Sequence, residues 1–294
     1  MSPKYVIGEA PPGHGGREEG TLNIYAPDGH LWDGGLKDMW DCTEMPMPNG
    51  RIKYMQLDQS VLRNANYPRN KVDRVNLIVR RPHNIPTSIE RFGGMGITGR
   101  DFIVDRLGLE EYEGGEKFEK ALREKGYIPL LNLRFKPVIV GTAFPRSYNI
   151  RRIEEARERI NGDNPDAALM ATEFPQIGRH VAEDGMGYRD GEYRIEPIDG
   201  SAEGWPASGQ AHSTTDVIES GDSLRANELY LAEPFGMEDV TSWLIIDEYS
   251  YFMHKEFVDE FVYRSERGRD DLHRRNPELF RSRLNTDRLF AKSA

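Results

Sequence analysis

Two carboxylates, Glu203 and Asp216, stand just upstream of a Ser220-Gly221-Asp222-Ser223 turn. The stretch that holds them, residues 198–229, reads IDGSAEGWPASGQAHSTTDVIESGDSLRANEL. An apolar segment ends at Asp199-Gly200, and a loop of small residues follows. Asp216 then opens the apolar pair Val217-Ile218, and a helical segment is expected from Leu224 to Leu229. Strand, loop and helix in that order aim backbone N–H groups and a helix start at one spot, which suits a phosphate. Gly221 permits a tight turn and close backbone approach. Ser220 and Ser223 add hydroxyl donors, and the two carboxylates can hold sugar hydroxyls or a magnesium ion. The four-residue turn alone serves hairpins and helix starts equally well, so turn chemistry leaves both readings open.

The register of the whole stretch is more specific. Gly200, Glu203, Pro206, Gly209, Ala211, Asp216, Ser220, Gly221, Ser223, Leu224, Asn227 and Leu229 follow one another without a gap. In that spacing they resemble the phosphoribosyl-diphosphate site of the ATP phosphoribosyltransferases, the first enzyme of histidine biosynthesis. Three more strings carry the resemblance: Arg81-Pro82 with Ile85-Pro86, GMGITGRDFIVD from Gly94, and ATEFP from Ala171. It implies that Arg81, Thr98, Gly99, Asp101, Thr172 and Glu173 bind substrate. It also implies that Ser220, Gly221, Asp222, Ser223 and Leu224 form the phosphate turn, and that Glu203 and Asp216 act on ribose hydroxyls and magnesium. The chain departs from the family at Asp28 and His30, where a basic loop is usual. Asp222 adds a carboxylate to the turn itself. His212 stands where the family more often has an aspartate; it reads as a general base, a phosphate contact or a histidine satisfied in a loop.

The elements that must position these residues alternate between strand and helix, which makes the class α/β. Strands are expected at 22–26, 75–80, 95–98, 128–135, 138–144, 168–174 and 193–198. Helices are expected near 33–40 and at 87–92, 116–125 and 151–160, with another after Pro175. Gly94-Met95-Gly96-Ile97-Thr98-Gly99 is a literal G-x-G-x-x-G, but a helix-like stretch precedes it and its centre is itself a strand. A dinucleotide fingerprint requires the reverse order. The aromatic-rich stretch 242–262 reads as a core-packed helix, and residues 264–294 as a charged helix or oligomer arm. The Gly/Pro-rich residues 1–20 read as a flexible arm.

Composition narrows the function. The 294 residues carry 39 basic and 49 acidic side chains, a net of −10, which argues against a general nucleic-acid surface. One cysteine, Cys42, allows no intrachain disulfide and no common zinc site. No apolar run approaches the roughly 18 residues of a membrane helix, and no signal-peptide core opens the chain, so a cytoplasmic protein is expected. There is no H-E-x-x-H, Walker loop or G-x-S-x-G. The resemblance implies two α/β domains with a cleft between them, type II periplasmic-binding-protein-like. Domain I would span 21–135 plus 230–263, and domain II 136–229. The implied reaction transfers phosphoribosyl from phosphoribosyl diphosphate to a ring nitrogen of ATP or a related base, with Mg2+ as cofactor. A homo-oligomer and a separate regulatory subunit are also implied. The alternative is a non-catalytic clamp or subunit that retains the fold and binds a small ligand.

Overall fold

The computed structural model describes residues 6–7, 20–27, 54–58 and 72–283, except 73, 111, 113, 162–167 and 235. Asp28, His30, the helix expected near 33–40, most of the N-terminal arm and residues 284–294 lie outside the described residues. Within the expected arm, Val6–Ile7 form a short strand, β1, rather than free chain. The protein divides into two compact units. The first holds the chain to Leu107, Gly115–Phe135 and Thr241–Arg281; the second holds Gly108–Gly114, Lys136–Val240 and residues from 282 on.

The sheet of the first unit contains β1, β2 (Thr21–Pro27), β3 (Tyr54–Asp58), β4 (Arg74–Arg80), β5 (Met95–Gly99), β6 (Tyr127–Asn132) and β13 (Ser242–Asp247), in the order β1-β3-β4-β2-β5-β13-β6. β2 runs parallel to β4 and β5, with Pro27 opposite Arg80 and Ile24 opposite Met95. The carboxyl ends of these three strands therefore share one edge. Alternation along them sends Leu22, Ile24, Leu77, Met95, Ile97, Leu244 and Ile246 to one face, where Phe257, Val258 and Phe261 of the long helix Glu248–Arg275 cover them. On the other face, Gly96 lets the helix Ile85–Phe92 approach: a β-carbon there would lie 2.6 Å from Ile85 Cγ2.

Ser242–Asp247 is a strand, not the start of the expected helix, because Trp243 to Ile246 are buried in a central strand covered on both faces. Asp247 ends it and caps the helix. Its Oδ1 accepts Ser250 N–H at 3.0 Å, and its Oδ2 accepts Gly94 N–H at 2.7 Å. The helix then continues to Arg275, taking in the first part of the expected charged arm.

The second unit's sheet orders β11 (Leu229–Leu231), β7 (Val138–Pro145), β10 (Ser213–Ile218), β8 (Ala168–Thr172) and β9 (Tyr193–Pro197), with β12 (Met237–Val240) also on β7. β8, β9 and β10 are mutually parallel, with Thr215 opposite Thr172 and Thr172 opposite Pro197. β7 is antiparallel to β10. The return to the first unit was expected at 230. It comes instead at Thr241, because β11 and β12 both pair with β7. Leu229 begins a strand rather than ending a helix, and the helix after the turn spans only Asp222–Ala226. The helix expected from 151 begins at Ala156, behind a 3-10 turn at Ile153–Glu155.

Candidate active site

In the second unit the singled-out residues collect at the carboxyl ends of β8, β9 and β10, where open α/β sheets bind ligands. Glu173 follows β8 directly. The Gly200 to Glu203 segment follows β9, and its chain turns back toward β8: a β-carbon on Gly200 would stand 3.6 Å from Glu173 Oε1. Glu203 is half-buried at the start of the short helix Gly204–Ala207. Asp216 lies inside β10, opposite Gly141 of β7, and its Oδ1 accepts the Val217 N–H at 2.7 Å.

Buried hydroxyls hold this edge in register. Thr172 is fully buried; its Oγ1 donates to Thr215 O at 2.5 Å and accepts Phe174 N–H at 2.9 Å. The Thr142 and Thr215 hydroxyls share a hydrogen bond of 2.7 Å. Thr172 thus spends its hydroxyl on aligning β8 with β10. Leu224 is likewise core, packed with Ile139, Ala143, Ile218, Leu229 and Leu231, and it seats the turn on the sheet.

The turn follows β10. Gly221 has φ of 76°, a conformation that costs side-chain-bearing residues strain. Ser220 Oγ donates to Asp222 Oδ2 at 2.7 Å and accepts Asp222 N–H at 3.3 Å. Arg225 Nη2 donates to Asp222 Oδ1. Asn227 donates through both its backbone N (3.0 Å) and Nδ2 (2.9 Å) to Ser223 O. Arg225 was not singled out in the sequence. The signal was the Asp-x-x-Arg spacing, which places both groups on one helix face.

His212 is at the other end of β10. Its Nδ1 accepts Leu169 N–H at 2.9 Å and its backbone N–H donates to Leu169 O at 2.8 Å, which joins it to β8. With Nδ1 occupied as an acceptor, the ring is a strand-pairing element rather than a general base at the turn.

In the first unit, Arg81, Thr98, Gly99 and Asp101 gather at the carboxyl edge of β4 and β5. Thr98, fully buried, donates from Oγ1 to Pro82 O at 2.8 Å and so ties the Arg81-Pro82 turn to β5. Asp101 opens the helix Arg100–Leu107 and folds back over Gly99: a β-carbon at 99 would meet its Oδ1 at 2.0 Å. Asp101 is only 3% exposed, and Oδ1 has no hydrogen-bond partner among the described residues. Burial pushes its pKa up to about 6, against the pull of the Phe102 and Asp101 backbone N–H groups and of Arg100.

Residues 81–266, more than half of the chain, match the family described as ATP phosphoribosyltransferase (HisG). The chain belongs to that family. Among its relatives, an ATP phosphoribosyltransferase of Sorangium cellulosum is 28% identical over 189 residues, 63% of this chain and 70% of that protein. One of Desulfitobacterium hafniense is 29% identical over 190 residues, 63% and 73% of the two chains. Among solved structures, the ATP phosphoribosyl transferase (HisG:HisZ) complex from Thermotoga maritima has a chain sharing the fold at a TM-score of 0.60 and 17% identity, with 85% of this chain and 99% of that one covered. Every candidate residue from Arg81 to Leu224 lies inside the family match. Among the described residues no helix is long and apolar enough to cross a membrane.

Proposed function

We propose that the protein transfers the phosphoribosyl group of phosphoribosyl diphosphate to a ring nitrogen of ATP or a related base and releases diphosphate. The observation that carries this is the convergence of the family's motif residues on the carboxyl ends of β8, β9 and β10 in one unit. Ser220, Gly221 and Ser223 hold the 5′-phosphate. Glu203 and Asp216 accept hydrogen bonds from the ribose hydroxyls. The ring nitrogen attacks the anomeric carbon as its bond to diphosphate breaks, and cationic charge on the sugar faces these two carboxylates. Holding both substrates in line and placing negative charge beside the developing cation lower the barrier.

Among the described residues no three His, Cys, Asp or Glu side chains form a metal-holding group. This donor set fits magnesium carried by substrate phosphates and touched by one or two protein carboxylates, the usual habit of that ion. Glu203 and Asp216 would hold it, and its chemistry there would be neutralisation of the leaving diphosphate. An accessory regulatory subunit, a self-associated state and a cytoplasmic site of action belong to the same proposal.

The test is calorimetric titration of phosphoribosyl diphosphate, with and without magnesium, on the wild type and on Asp216→Ala. Binding at about micromolar levels in the wild type, lost in the variant, supports the site; diphosphate release then screens acceptors. No binding in either protein sinks the transferase reading.

A further inference from the structure

The proposed phosphate turn carries its own anion. Ser220, which would donate its hydroxyl to a phosphate, donates it to Asp222 Oδ2 at 2.7 Å. Arg225, on the short helix that follows the turn, is paired with the other oxygen of the same carboxylate. One side chain thus takes two of the turn's side-chain donors, Ser220 and Arg225, as a bound phosphate would. The Asp222 side chain is 74% exposed, so the contact is solvent-screened and weak, and a stronger anion can displace it. Arg225 is more enclosed, at 35% exposed, and its Nη1 has no hydrogen-bond partner among the described residues.

We propose that Asp222 is a specificity-determining residue that sets the affinity of this turn for phosphate by competing with it for Ser220 and Arg225. The inference rests on the phosphate-site reading above. Phosphate binding requires the carboxylate to release both donors, and the carboxylate then remains beside a dianion. Repulsion between one carboxylate and a phosphate dianion about 4 Å away in water corresponds to about thirty-fold in affinity. Asp222→Asn keeps the shape and removes the charge. It leaves Arg225 without its carboxylate and able to meet the ligand.

The experiment is titration of the full chain with inorganic phosphate and with magnesium phosphoribosyl diphosphate. Wild type, Asp222→Asn and the double variant Asp222→Asn/Arg225→Ala are compared, at two salt concentrations. The expected result is about thirty-fold tighter binding in Asp222→Asn, with most of the gain lost in the double variant and the gain smaller at high salt. In turnover the change should fall on KM for the phosphoribosyl donor and leave kcat in place. Equal binding by wild type and Asp222→Asn overturns the competition while the phosphate site stands. Weaker binding in Asp222→Asn also overturns it and makes Asp222 a support for Arg225. No binding of either probe by any variant removes the site and the inference together.

Discussion

Asp101→Asn isolates a penalty that the first unit carries at neutral pH. The Asp101 carboxyl is buried, and its pKa rises from an ordinary 3.8 to about 6, with burial the largest cause and the neighbouring Asp105 adding to it. The native state therefore holds this proton more tightly than the unfolded chain does. Below pH 3.8 both states are protonated and there is no penalty. As pH rises from 3.8 to about 6 the unfolded state ionises first, and stability falls; above that window the full cost is in place. Two pKa units and a fraction amount to about 3 kcal/mol. Asparagine fills the same space and does not titrate. The stability of the variant relative to wild type should therefore rise by about 2.5 kcal/mol between pH 4 and pH 7.5.

Because the protein has two units, a single global unfolding curve would mix them. Native-state hydrogen exchange of the Ile97 and Leu244 amides reads the first unit directly. Taking the difference between variant and wild type cancels groups common to both. Parallel pH profiles for the two proteins, or an Asp101 side-chain carbon resonance that titrates near 4, would refute the reasoning.

Three more outcomes follow from the same unit. Gly99→Ala should destabilise the wild type but cost less in an Asp101→Gly background, because the new β-carbon collides with Asp101 Oδ1; a double-mutant cycle with no coupling contradicts this. Asp247→Ala should cost about 2–4 kcal/mol in native-state hydrogen exchange of the first unit's strand amides, since it removes a helix cap and a buried acceptor of Gly94 N–H. His254 is buried, and burial lowers its pKa against the opposing influences of Thr21 and Asp247. The fold therefore favours the neutral ring. Its contribution is intact above pH 6.5 and is lost as pH falls from there through the lower native value. The exchange protection of the first unit's strand amides should drop more in the wild type than in His254→Gln between pH 7.5 and 5.5.

The parts legible in the sequence were those with a local pattern. Val75 to Arg80 and Met95 to Thr98 announced themselves as strands because buried parallel strands are short apolar runs. The site stretch was legible because glycines, prolines and carboxylates at fixed offsets must follow strand ends in order. What escaped depended on partners distant in sequence. Trp243 to Ile246 sat in a run of aromatics that also suited a helix, and pairing with β5 and β6 decided for a strand. Met237 to Val240, buried only at its ends, pairs with the edge of β7 through a register shift, and that pairing extends the second unit to Val240. Asp247 had the spacing of a cap, Asp-x-x-Ser, but its second bond, to Gly94, spans 153 residues.

The charge at the carboxyl edge of β8, β9 and β10 comes from three carboxylates of the motif strings and from Asp222, which the motif does not specify. Glu173, Glu203, Asp216 and Asp222 all lie on segments that leave this edge or form its end, and Arg225 is paired with Asp222. Repulsion in an exposed, screened setting is modest per pair but accumulates against a ligand that bears several phosphate charges. In the proposed reaction these carboxylates oppose the phosphates of a sugar carrying diphosphate, an opposition that an accompanying divalent cation offsets. Within the proposed reaction, the same carboxylates that oppose the donor's phosphates favour the positive charge that develops on its ribose ring. In the proposed site Asp222 differs from the other three in standing in the turn that takes the 5′-phosphate, where negative charge persists from substrate to product. Its repulsion is then nearly uniform along the reaction, so it bears on binding rather than on the chemical step.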